Sequence, residues 1–251
     1  MKPVFNASPS SLARLCGCLY FVIIVLGVFG ELFVRGSLVV AGAPSATIDA
    51  IAGSQLLWRA GIVGDLLMHV LDVPVIVIFY CLLRPVSKGL ALLSTLFNGV
   101  QTAVLALNKL WLLVPLFVLE DAGSLNAFSA QQLHAMSQLA IKVHGFGFAI
   151  GLIFFGCACL VRGHLMARSG YFPRALGRLL QLAGASYLVN SFALLLSPSI
   201  ASQLFPGVLL PAFVGELAVC LWLIVKGVDP IQWGAHAERA DSMVHSPRPL
   251  P

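Results

Sequence analysis

Asp65, His69 and Asp72 stand four and then three residues apart inside a run, Leu56 to Leu83, that is otherwise apolar enough to cross a membrane. That spacing puts all three on one face of a helix. An acid near the bilayer centre costs roughly 2.5–3.5 kcal/mol on insertion scales, so three titratable groups in two turns need partners, water or a ligand. Two carboxylates and an imidazole are also the set from which proton donors, proton carriers and His/carboxylate metal sites are built. Other polar residues reach a similar depth when each is placed along its own apolar segment. Asn98, Gln101, Asn108 and Lys109 share a face of a third segment, His144 lies on a fourth, Tyr187 and Asn190 on a fifth, Glu216 on a sixth, and Glu31 near the far end of the first. The expectation is a cavity in the outer half of a helical bundle. In it Asp65, Asp72, Glu216, His144 and His69 carry the proton chemistry, and Glu31, Asn98, Gln101, Asn108, Tyr187 and Asn190 contact a small or lipid-like molecule.

The elements that must position these residues are membrane helices. Of the 251 residues 59% are hydrophobic and 10% charged, against about 25% charged in a soluble domain. Six stretches suit a hydrocarbon core of about 30 Å: Leu12–Val34, Leu56–Leu83, Leu90–Leu119, Gln138–Val161, Ala175–Leu196 and Val208–Lys226. They are continuous Leu/Val/Ala-rich runs without the ten-residue alternation of a membrane barrel, so the fold class is an all-α bundle of six transmembrane helices. Residues 1–11 read as a short leading segment, 12–227 as the membrane domain, and the polar, Pro-containing 228–251 as a disordered tail. Eleven of the 15 Lys and Arg fall before helix one, between two and three, between four and five, or after six. That bias predicts cytoplasmic termini. It also accounts for the net charge of +5 without a nucleic-acid partner.

Several features have ordinary readings. The apolar run that follows the basic start is too long for a signal-peptide core. The six cysteines lie in the inner halves of their helices, and Cys16-x-Cys18 and Cys157-x-Cys159 point about 200° apart on a helix, so packing explains them better than disulfides or chelation. No cofactor is expected. A zinc-like ion on His69, His144 and a carboxylate would need three helices to meet, because no His-x3-His or His-Glu-x2-His occurs. Gly147-x3-Gly151 reads as a close-packing face, and Pro74 should loosen helix two below Asp72. The Arg162–Arg178 loop offers contacts to anionic lipids. Segment 47–52 should form a turn or two of helix, and Ser124–Ser137 an amphipathic connector. A chain of this size in a bilayer is also a candidate homo-oligomer.

Five segments in order carry a family likeness: Gly30-Glu31-Leu32-Phe33-Val34-Arg35-Gly36; Leu82-Leu83-Arg84-Pro85-Val86; His144-Gly145 with Phe154-Phe155-Gly156; Phe172-Pro173-Arg174-Ala175-Leu176-Gly177; and Gly215-Glu216-Leu217 with Leu221 to Gly227. Together they resemble the bacterial membrane family of domain of unknown function 4386, over roughly Leu12 to Gly227. The resemblance implies an integral membrane protein with a six-helix core and carries no activity with it. Glu31, Arg35, Asp65, His144 and Glu216 match its characteristic polar positions, and His69 and Asp72 do not. Three functional classes follow: a protein that binds or transforms a small molecule by proton transfer, a small proton-coupled transporter, and a structural or regulatory membrane subunit.

Overall fold

The computed structural model describes residues 8–120 and 125–245, and among them there is helix and no strand. Six helices are long and apolar enough to cross a membrane: α1 (Pro9–Leu38), α3 (Gln55–Leu83), α4 (Lys88–Glu120), α5 (Ala130–Arg168), α6 (Arg174–Leu196) and α8 (Gly207–Val225). Three more, α2 (Pro44–Gly53), α7 (Pro198–Leu204) and α9 (Pro230–His245), lie between or after them. The sequence sets most of the starts. Ser8 precedes Pro9 at the first turn of α1 and accepts a hydrogen bond from the Ser11 amide at 3.1 Å. Ser129 and Gln132 form a reciprocal capping box that starts α5 at Ala130.

That box corrects one expectation. Residues 130–137 do not form a separate connector; they are the first turns of a 39-residue helix, and Ser124 lies outside the described residues. The tail is corrected as well, because 230–245 is helical. Asp229 Oδ1 accepts from the amides of Ile231 (2.9 Å) and Gln232 (3.2 Å), with Pro230 at the first turn, and the Trp233 indole donates to the Leu82 carbonyl at 3.1 Å. The low apolar content of this stretch hid a complete helix-start signal. Helix α3 runs unbroken through Pro74, whose ring lies on its exposed side.

Neighbouring spans pack in sequence, α1 on α3, α3 on α4, α4 on α5, α5 on α6 and α6 on α8, and α8 returns to α1, so the six close into a ring. The tightest seam is α5 against α6. There Gly156 meets the Gly184 backbone and Gly163 meets that of Gly177, pairs a Cβ would force apart. Helix α3 shows how the sequence sorts its faces. Val63, Leu66, Val70, Val73 and Val77 are exposed as a lipid-facing stripe, and Ile62, Asp65, His69, Ile76 and Phe79 are buried opposite.

Two apolar clusters fill the ends of the ring. One, at the amino-terminal end, gathers Cys16, Ile78, Phe79, Leu82, Leu165, Met166 and Leu223; the other, at the opposite end, gathers Val34, Ile51, Trp58, Ile62, Leu112 and Leu116. Asp65 and its partners lie between the two clusters, whereas Glu216 and Arg162 are set into the first, on its Tyr20 and Phe79.

Candidate functional site

Asp65 is the centre of the first polar layer and is 1% exposed. Its carboxylate accepts from Arg35 at 2.7 Å and from Lys109 at 2.9 Å, and Arg35 also meets Glu31 at 2.8 Å. Lys109 Nζ then lies 3.4 Å from His144 Nε2; an ammonium can only donate, so that ring nitrogen is the acceptor. Asn108 donates to the His144 carbonyl at 2.8 Å, against Gly147, where a Cβ would displace the Asn108 amide. Two helical irregularities deliver the cations. Phe29–Arg35 is a π-helical stretch of α1, and Lys109–Leu113 is a 3-10 stretch of α4. Each changes the angular position of the residues that follow, as such insertions commonly do near sites.

Gly30 lies in the π-helical stretch, and a Cβ there would fall on the Asp65 carboxyl and within 3.1 Å of an Arg35 guanidinium nitrogen. Gly30→Ala should therefore cost about 1–3 kcal/mol by overpacking, read as a lowered melting temperature in detergent. A melting temperature equal to that of the unmodified protein would show that the ion pair relaxes freely.

The second layer lies about 10 Å further along α3, seven residues at 1.5 Å each. Asp72 accepts from Asn98 at 3.0 Å and from the Thr102 hydroxyl, and Asn98 also donates to Gln101 at 2.8 Å. The Asn98 side-chain oxygen accepts from Arg162, which is 2% exposed and whose guanidinium stacks 4.2 Å over the Phe79 ring. Across the ring, Glu216 accepts from the hydroxyls of Tyr20, at 2.8 Å, and Tyr187. Asn98 thus bridges Asp72 and Arg162. Arg162 Nε and His69 Nε2 are among the buried side-chain atoms without a hydrogen-bond partner among the described residues, the latter one helical turn from Asp65.

The expected constellation is thus divided. Asp65 and His144 meet with Glu31 at the rim, but through Arg35 and Lys109, so what was read as the wall of a cavity is occupied by ion pairs. Asp72, Asn98 and Gln101 meet one another, and Glu216 meets Tyr187. Asn190 is half-buried and joins none of these hydrogen bonds among the described residues. Arg59 pairs with Glu120 at the far end, and Lys109 turns inward onto Asp65. No three His, Cys, Asp or Glu side chains among the described residues come together as a metal-ligand set. Cys16, Cys81, Cys159 and Cys220 are buried packing residues, and Cys18 is exposed.

Arg162, Tyr20 and Thr102 are the site residues that the sequence reading passed over. Arg162 was counted with the basic loop because the apolar run ends at Val161. Helix α5 continues to Arg168, and the stop signal is Ser169-Gly170, with Gly170 at φ 74°. From that position a long side chain tilts toward the helix N-terminus and so reaches up into the bundle.

Fold and layers together define a six-span α-helical membrane protein whose ring encloses a partly ionised polar interior. The chain belongs to the family described as a domain of unknown function, DUF4386, whose sequence model matches residues 15–227. An uncharacterized protein of Archaeoglobus fulgidus is 30% identical over 168 residues, which make up 66% of this chain and 83% of that one. No solved structure matches.

Proposed function

We propose that this protein binds an exchangeable proton in the Asp72 layer and couples its movement to the binding or passage of a small or lipid-like molecule across the membrane. One observation carries the reading: Asp72 is tied through Asn98 to Arg162, the one cation in the layer among the described residues, and a second carboxyl group, Glu216, stands across the ring with the Tyr20 and Tyr187 hydroxyls as its partners. Burying a net negative charge is costly, and one proton shared between the two acids removes the excess. The Asp65 layer has no such deficit. Asp65 has two cations and Glu31 supplies a second negative charge at the rim, so this layer acts as a structural tie, with His144 its terminal acceptor. Alternating access would open the apolar packing on one side of the Asp72 layer at a time. His69, with a free ring nitrogen one turn from Asp65, stands between the layers as a relay.

The basic residues still favour the amino-terminal end after Arg162 is moved from loop to interior, which supports a cytoplasmic assignment for that end in a bacterial inner membrane.

Difference infrared spectra of the protein in lipid, taken across neutral pH, provide the test. The unmodified protein should show the carbonyl stretch of a protonated carboxyl group, reduced or lost in Asp72→Asn and in Glu216→Gln. Vesicles loaded with a pH dye should acidify through the unmodified protein and at least tenfold more slowly through the double variant, a loss typical of an acid/base group. Absence of the protonated band would overturn the shared proton. A band without flux would leave a bound proton and exclude its movement, favouring a structural subunit.

A further inference from the structure

A second feature at the amino-terminal end lies outside the polar layers. Between the end of α5 and the start of α6 is a cavity of about 460 Å³ lined by Ala167, Arg168, Gly170, Arg174 and Arg178. That volume falls in the range of small-ligand sites. Three of its five lining residues are arginines and none is acidic, and among the described residues these arginines make no ion pair. Arg174 and Arg178 are four apart on one helix face, where like charges destabilise each other. Arg168 faces the same space from the neighbouring helix. Gly170, at φ 74°, makes the turn that brings the two helix ends around the cavity. The first turn of α6 brings no acidic side chain and no side-chain cap to the same mouth.

Positive-inside topology explains basic residues in such a loop, but not their convergence on one concave space without a counter-charge among the described residues. We infer that this cavity binds a phosphate-bearing anion, with the planar guanidinium groups of Arg168, Arg174 and Arg178 donating to its oxygens. Guanidinium suits this because it offers paired N–H donors in a fixed fork and sheds water more readily than ammonium. The cavity opens where two membrane spans end, at the depth of lipid headgroups. The same chemistry would accept the headgroup of an anionic phospholipid or a soluble phosphate.

The test uses the full chain, unmodified and as Arg168→Gln/Arg174→Gln/Arg178→Gln. All three side chains are exposed, so the variant should fold. In neutral detergent without phosphate it should melt no lower than the unmodified protein, because removing the arginines relieves their repulsion. Phosphatidylglycerol, but not phosphatidylcholine, should raise the melting temperature of the unmodified protein alone. Affinity should fall about fivefold for each arginine removed, the scale for a basic residue at an anionic surface. Inorganic phosphate and glycerol phosphate form the second arm. If they stabilise the unmodified protein as well as the lipid does, the ligand is a soluble phosphate; if only the lipid does, it is a headgroup. Equal stabilisation of both proteins by phosphatidylglycerol, or of neither by any phosphate, would overturn the inference.

Discussion

Asp65→Ala is expected to lower the stability of the bundle by about 3–5 kcal/mol, the cost of removing one partner from a buried ion pair. Lys109 and Arg35 are 3% and 12% exposed and converge on that one carboxylate. Without it Lys109 faces the His144 ring, which cannot offset a charge, and Arg35 keeps only Glu31 at the rim. The penalty comes from the stranded cation. Asp65→Leu combined with Lys109→Met should therefore recover most of the loss, because it removes both charges and leaves Arg35 paired with Glu31. Arg59→Gln is the control. It breaks a pair whose partners are 45% and 48% exposed, and exposed pairs contribute about 0–1 kcal/mol. Denaturant titration of the four proteins in one detergent separates these cases. Equal effects of Asp65→Ala and Arg59→Gln would mean that water reaches the Asp65 layer and that its burial is only apparent.

What could be read from the chain before folding divides along the same line. The six spans, the all-α class and the buried face of α3 follow from composition and a 3.6-residue period, which are local properties. The facing set Asn98, Gln101, Asn108 and Lys109 on α4 was legible for the same reason. Which polar residue meets which was not, because partners come from different helices and depend on rotation about each axis. A π-helical stretch at Phe29–Arg35 and a 3-10 stretch at Lys109–Leu113 change that rotation. Neither leaves a clear mark in a hydropathy pattern. Proximity in sequence cannot supply the partners of Asp65, because the structure gives it Arg35 and Lys109, 30 and 44 positions away.

Arg162 was hidden by a different effect. A hydropathy window ends a span at its first charge, but a helix ends where its hydrogen bonds end, and α5 runs on to Arg168. The glycines show the same limit. Gly147 and Gly151 were legible as a packing face and do pack, on Asn108 and Leu105, but the closest seam uses Gly156 and Gly163 against Gly184 and Gly177. Those four fall at spacings of seven, a pattern seen only once the two helices are set antiparallel.

Because Arg162 is the one cation in the Asp72 layer among the described residues, its replacement should separate stability from function more sharply than any other change. Arg162→Met retains much of the volume over the Phe79 ring but leaves Asp72 and Glu216 without a counter-charge and Asn98 without its donor. The expected loss is again about 3–5 kcal/mol, the cost of uncompensated buried charge. Adding Asp72→Asn and Glu216→Gln makes the whole layer neutral. Asn98, Thr102, Tyr20 and Tyr187 can still hydrogen-bond to the amides, so the triple variant should return to within about 1–2 kcal/mol of the unmodified protein. It should nevertheless show no protonated-carboxyl band from this layer and no proton flux in dye-loaded vesicles. A purely structural role for the three charges predicts instead that the triple variant regains both stability and whatever flux the unmodified protein supports. A recovered flux would remove Asp72 and Glu216 from the mechanism, since neither amide can carry the proton.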